Sequence, residues 1–204
     1  MHRFLLALGL AAVATTSATA ATVIYKPNVF GPPAGYTLFD NFNDAAGQSL
    51  VTGSNFVFPT GSTAGQYVAP TGDTTPYLAV LGGGSAAIDF TGAVKSFSFD
   101  YSTVDSYNSI AIRYADGGMQ SYTGAFILGS LPSGVTSGSF IVNGDGRAIK
   151  GLTLTTTQNS FEVDNLATSG ALGAVPEPAS WAMMLAGLGL VGVAARRRSA
   201  TATA

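Results

Sequence analysis

The sequence predicts an all-β protein, an antiparallel β-sandwich of the jelly-roll kind with roughly eight to ten strands, lying between two apolar terminal segments. Three observations predict it. Short runs alternate apolar and polar residues with period two, Gly- and Asp-rich turns interrupt them, and no stretch of 21–173 carries an unbroken helical period with caps. Strands with one apolar face and one Ser/Thr-rich face must cover the apolar face, which argues for a second packed layer.

Residues 1–20 read as a signal peptide. Met1-His2-Arg3 supplies a positive start, Phe4 to Val13 an apolar run, and Ala18-Thr19-Ala20 the small side chains that signal peptidase accepts at −3 and −1. Ten apolar residues rise only about 15 Å as a helix, half a bilayer core, which argues against a permanent anchor. Cleavage is expected after Ala20, with Ala21 the next choice.

The exported domain spans residues 21–173. Ile88 and Phe90 flank Asp89, while Phe97, Phe99 and Tyr101 alternate with Ser96, Ser98 and Asp100. Ile110, Ile112 and Tyr114 follow the same rule, as do Phe140 with Val142, Leu152 with Leu154, and Phe161 with Val163. Gly82-Gly83-Gly84, Asp116-Gly117-Gly118, Pro132-Ser133-Gly134 and Asn143-Gly144-Asp145-Gly146 read as the turns that bound these runs. Residues 21–35 and 167–175 read as connecting segments.

Residues 174–204 form a third unit. Pro176 and Pro178 stop a helix from running through. Trp181 to Ala195 is then an uncharged apolar span, and Arg196, Arg197 and Arg198 follow at once. Arg resists translocation, so this order holds the Arg cluster in the cytoplasm and leaves the preceding domain on the periplasmic side of the inner membrane. The span rises about 22 Å, short of the hydrocarbon core, which suits a transient hold.

Pro176-Glu177-Pro178-Ala179-Ser180-Trp181-Ala182, the Gly-rich span and the terminal Arg cluster together resemble a PEP-CTERM sorting signal of the PEPxxWA variant. The resemblance implies recognition by an exosortase of a Gram-negative bacterium that makes exopolysaccharide. It also implies cleavage near Pro176 to Pro178 and delivery to the cell envelope or extracellular matrix. Ser160-Phe161-Glu162-Val163-Asp164-Asn165-Leu166 is similar to a closing strand of the exported domains that precede such tails. Related sandwiches include carbohydrate-binding modules, so exopolysaccharide is an expected alternative partner by analogy alone.

Composition narrows the chemistry. The chain has no Cys, and its single His is His2, inside the signal peptide. Thiol and imidazole chemistry are therefore unavailable to the mature domain, and carboxylates are the remaining acids and bases. Residues 21–173 carry ten acidic and five basic side chains without a basic stripe, which excludes nucleic acid. The expected protein is not an enzyme, has no obligatory cofactor, and serves as a structural or adhesive module.

Asp40 and Asp44 near the start, with Glu162 and Asp164 near the end, are candidates for a calcium clamp if the first and last strands are neighbours. The alternative is that Asp40 and Asp44 form Asx turns and Asp164 ends a strand. Residues 143–146 read as a hairpin turn in preference to a calcium loop. Asp100 and Asp105 are the pair a glycoside hydrolase would need, but residues 105–108 read in preference as a cap or turn before the strand at Ser109. Tyr67, Tyr77, Tyr107 and Tyr122 are the rings a saccharide would stack on, the alternative being core or edge packing.

Overall fold

A computed structural model describes residues 19–129, 131, 137–171 and 185–189. Its longest element, β4 (Leu78–Tyr101), organises the others. Before it come β1 (Thr22–Pro27), β2 (Thr37–Asp40), the one-turn helix α1 (Ala45–Gln48) and β3 (Val51–Val57). After it come β5 (Asn108–Tyr114), β6 (Met119–Thr123), the short helix α2 (Gly124–Leu128), β7 (Gly138–Asn143), β8 (Ile149–Thr156) and β9 (Phe161–Ala171).

All nine described strands are hydrogen-bonded into one curled sheet, where the sequence suggested two separate ones. The main path runs β1-β7-β4-β8-β5-β6; β3 and β9 also pair with β4, and β2 pairs with β9. The cause is the length of β4. Its first half pairs with β3 and β8, through Ser85 opposite Thr155 and Ile88 opposite Leu152. Its second half pairs with β7, Phe99 opposite Phe140, and β9 pairs with both ends of β4, Val80 facing Phe161 and Tyr101 facing Val163. One strand thus serves two sets of neighbours, and both halves send side chains to one core.

Gly82-Gly83-Gly84, expected as a turn, lies inside β4. A Cβ on Gly84 would stand 2.4 Å from the Asn55 carbonyl oxygen and 2.7 Å from that of Leu81. Only a residue without a side chain lets β3 come this close, where β3 bulges at Asn55 with φ 52°. Asp116-Gly117-Gly118 does close a hairpin, β5–β6: Gly117 takes φ 84° and Asp116 Oδ1 accepts from Gly118 N at 2.8 Å. Residues 143–146 form a turn but not a hairpin. They connect β7 to β8, which flank β4 rather than each other. The segments read as connections contain strands: β1 lies within 21–35, and β9 runs through residue 171. Both are recruited by pairing, β1 with β7 and the end of β9 with β2 and β4.

Alternation is obeyed in β5, where Ile110, Ile112 and Tyr114 are buried and the residues between them are not. It fails instructively in the second half of β4 and the start of β9. Phe97, Phe99 and Phe161 are buried as expected, but so are Ser98, Asp100, Glu162 and Asp164. The segments joining β1 to β2 and β3 to β4 cover that polar face: Gly31 N donates to Asp100, and Val68 N to Glu162. A layer of buried carboxyl groups results.

Ala18, the sorting residues Pro176, Glu177, Pro178, Trp181, Ala182, Arg196, Arg197 and Arg198, and most of the 181–195 span lie outside the described residues. Residues 185–189 are helical with Leu185 and Leu188 exposed. Among the described residues no helix is long and apolar enough to cross a membrane. Ala20, the expected last residue of the signal peptide, is exposed, whereas Ala21 is buried. Ala21 N donates to Gln120 Oε1 at 2.8 Å, and its carbonyl accepts from the Tyr122 hydroxyl.

Candidate functional site

Two polar cavities flank the buried carboxyl layer. The first, of about 200 Å³, opens beside Tyr67, Asp105, Tyr107, Asn159 and Glu162. Tyr67 comes from the β3–β4 connection, Asp105 and Tyr107 from the turn between β4 and β5, and Asn159 and Glu162 from the β8–β9 turn and β9. Three distant parts of the chain therefore meet here. The Tyr107 hydroxyl donates to the Asn159 carbonyl at 3.0 Å, and burial together with the nearby Asp105 pushes it up to about 12. A phenol so shifted stays protonated at every physiological pH. Asn159 Nδ2 donates to the Gly65 carbonyl at 3.3 Å, tying the rim of the cavity to the turn before β9.

Glu162 forms the floor and is almost wholly buried. Oε1 accepts from Val68 N at 2.9 Å and from the Ser160 hydroxyl, and Oε2 from Thr103 Oγ1 at 3.4 Å. Burial raises its pKa, partly offset by those donors. With both oxygens engaged inside the fold, Glu162 holds the cavity together. Asp105 and Tyr67 stand at the half-buried rim.

The second cavity, of about 240 Å³, is lined by Phe30, Pro70, Asp73, Asp100, Asp164 and Asn165, among others. Register sets Asp100 of β4 opposite Asp164 of β9. Asp100 Oδ2 accepts from Gly31 N at 2.7 Å and Asn165 Nδ2 at 2.9 Å. Asp73 Oδ1 accepts from Thr75 N at 2.8 Å and Thr75 Oγ1 at 2.6 Å, an Asx turn in the covering segment. Burial first, and then the neighbouring Asp73 and Asp100, push Asp164 up to about 8. Burial also raises Asp100.

Asp40, Asp44, Glu162 and Asp164 fall into three surroundings rather than one. Asp40 closes an Asx turn, accepting from Phe42 N at 2.7 Å, and Asp44 caps α1 through Gly47 N at 2.8 Å. Glu162 and Asp164 line different cavities although β2 does pair with β9. Asp100 and Asp105 likewise line different cavities. Of the four tyrosines, Tyr67 and Tyr107 share the first cavity. Tyr77 is wholly buried with its hydroxyl on the Gly61 carbonyl at 2.7 Å, and Tyr122 lies beside Ala21. Asp73 carried no signal beyond that of a turn residue, so local reading missed its part in the buried cluster.

Residues 174–198 match the PEP-CTERM protein-sorting motif, which is consistent with a protein sorted by an exosortase. The fold is similar, at a TM-score of 0.36 and 15% sequence identity, to the family 11 carbohydrate-binding module of the cellulosomal cellulase Lic26A-Cel5E of Clostridium thermocellum, over 70% of this chain and 99% of that one. No curated protein matches the chain.

Proposed function

We propose that this chain, with its sorting motif at 174–198, is exported, held briefly in the inner membrane by residues 181–195, and passed by an exosortase to the cell envelope or matrix. There its curled sheet, closing on itself as a jelly-roll-like sandwich, acts as a non-enzymatic structural or adhesive module. The observation that carries this reading is a sorting motif following a strand-built domain that has neither Cys nor His after residue 20. The shared core of both halves of β4 supports the sandwich. The separation of Asp100 from Asp105 argues against those two as a catalytic pair.

Replacing Arg196, Arg197 and Arg198 with Ala, or Pro176 and Pro178 with Ala, is expected to abolish C-terminal processing. Intact mass from producer cells should then show the tail retained, with the protein in membranes or mislocalised. Normal mature mass and location in both variants would refute the sorting route.

One observation favours a second reading, a carbohydrate-binding module. Tyr67 and Tyr107 meet Asp105 and Asn159 around one open cavity, placing aromatic rings beside polar groups, the combination sugar recognition uses. Tyr67→Ala with Tyr107→Ala is expected to lower retention on the producer's exopolysaccharide at least tenfold, a loss of about 1.4 kcal/mol. Undiminished retention of a folded double variant removes this cavity as the binding site.

A further inference from the structure

The hydrogen-bonded path β1-β7-β4-β8-β5-β6 leaves β1 and β6 as its two ends. Among the described strands β1 pairs with β7 and β6 with β5, so each end carries a backbone edge with no strand beside it. Ala21, the residue before β1, bridges the two ends. Its N–H donates to Gln120 Oε1 at 2.8 Å, Gln120 Nε2 donates to the Tyr122 hydroxyl at 2.6 Å, and that hydroxyl donates to the Ala21 carbonyl. This ring of three hydrogen bonds engages both backbone groups of one residue, as a strand partner would. The Tyr114 hydroxyl donates to the same Gln120 oxygen at 2.9 Å and lies beside the Ala21 N–H. Gln120 takes a half-buried position of β6, where alternation ordinarily puts an apolar residue. Ala21 is buried and Ala20 exposed, so burial begins at the bond that signal peptidase is expected to cut.

We propose that cleavage between Ala20 and Ala21 makes the α-amino group of Ala21 a clasp, seated among Tyr114, Gln120 and Tyr122, that fastens β1 to β6 in the mature protein. This rests on the export proposed above and gives the product of that cleavage a role in the fold. An amide N–H offers one proton and an α-ammonium three. One stays on Gln120 Oε1, a second has the Tyr114 oxygen beside it, and the third turns to the water that replaces Ala20. A cavity of about 680 Å³ lined by Ala20, Ala21, Gln120 and Tyr122, among others, opens at this seam. The charge therefore stays partly hydrated and avoids the cost of full burial. A charged donor also makes a stronger hydrogen bond than a neutral one, so processing tightens the contact. Asp145, which accepts from the Thr22 hydroxyl, places a carboxylate one residue away. Arg147, stacked 3.5 Å over the Tyr114 ring, is already paired with Asp116. Cleavage one residue later would discard Ala21 with both of its bonded groups.

The test uses protein purified from producer cells, the chain as the cell leaves it. N-terminal sequencing should give Ala21 as the first residue. At neutral pH an acylating reagent should label the α-amine at least fivefold more slowly in the folded protein than in urea, read by mass spectrometry of the N-terminal peptide. Gln120→Leu keeps the size and removes the acceptor. It should erase most of that protection and lower the melting temperature by about 3–6 °C. Should it fail to fold, Tyr122→Phe, which loses only the hydroxyl on the Ala21 carbonyl, must speed labelling at least twofold. Retention of residues 1–20 overturns the export reading and the clasp together. Exported protein that starts at any other residue, an amine labelled as fast folded as unfolded, or unchanged labelling in the folded variants overturns the clasp alone.

Discussion

Phe140→Ala should lower the free energy of unfolding by about 3–5 kcal/mol, the range for emptying a buried aromatic site. Phe140 is wholly buried on β7, between β1 and β4. Its ring lies 4.4 Å from that of Tyr101, 5.4 Å from Phe99 and 5.5 Å from Tyr25, centroid to centroid. Removing it strips three aromatic partners at once and leaves a void that a hydrogen-bonded sheet cannot collapse to fill. Domains are stable by only about 5–15 kcal/mol, so the variant would lose much of its margin. Urea unfolding by tryptophan-independent circular dichroism measures it. A loss below about 1 kcal/mol would mean that β7 is not packed between β1 and β4 as described.

Stability should fall as pH rises from about 4 to about 8. Asp164 is pushed up to about 8 from an ordinary 3.8, by burial and then by Asp73 and Asp100. Between those values the folded chain keeps a proton that the unfolded chain has released. The stabilisation is therefore complete below the unfolded value and is lost as pH climbs through the folded one. Each pH step over which the proton is held corresponds to about 1.4 kcal/mol, so the fall amounts to several kcal/mol. Asp100, which faces Asp164 from β4, is raised by burial and acts in the same direction. So do Glu162 and Asp40, raised chiefly by burial. Asp116 opposes them: the Gly118 N–H and Arg147 hold its carboxyl below the usual range. The Asp116 side chain is more than half exposed, so solvent screens this opposing contribution. Thermal melts across this pH range would decide the matter, and a melting temperature that climbs steadily toward pH 8 would exclude a protonated buried cluster. Asp164→Asn should flatten the profile.

Local sequence made the strands legible because each is written in alternation a few residues long. Ile110, Ile112 and Tyr114 are buried on β5 as their spacing requires. Recognition of the C-terminal motif was equally local, since sorting reads a linear order of Pro, Trp, apolar span and Arg. What alternation could not convey was the fate of the polar face. Ser98, Asp100 and Asp164 occupy positions that should meet water, and loops contributed by remote segments bury them. Nor could it show that Gly82-Gly83-Gly84 is an approach point for β3 rather than a turn, because the reason is the Asn55 carbonyl 2.4 Å from where a side chain would start.

By itself the sequence determined the strand-rich character, the lack of Cys and of any His after residue 2, and the terminal sorting motif, since each depends on residue type and short-range order. Only the tertiary structure decided which carboxylates share a cavity. Asp73, Asp100 and Asp164 are brought together by strand register and a covering loop, and their perturbed protonation follows from burial and mutual proximity, properties that belong to the packed chain and to no single residue.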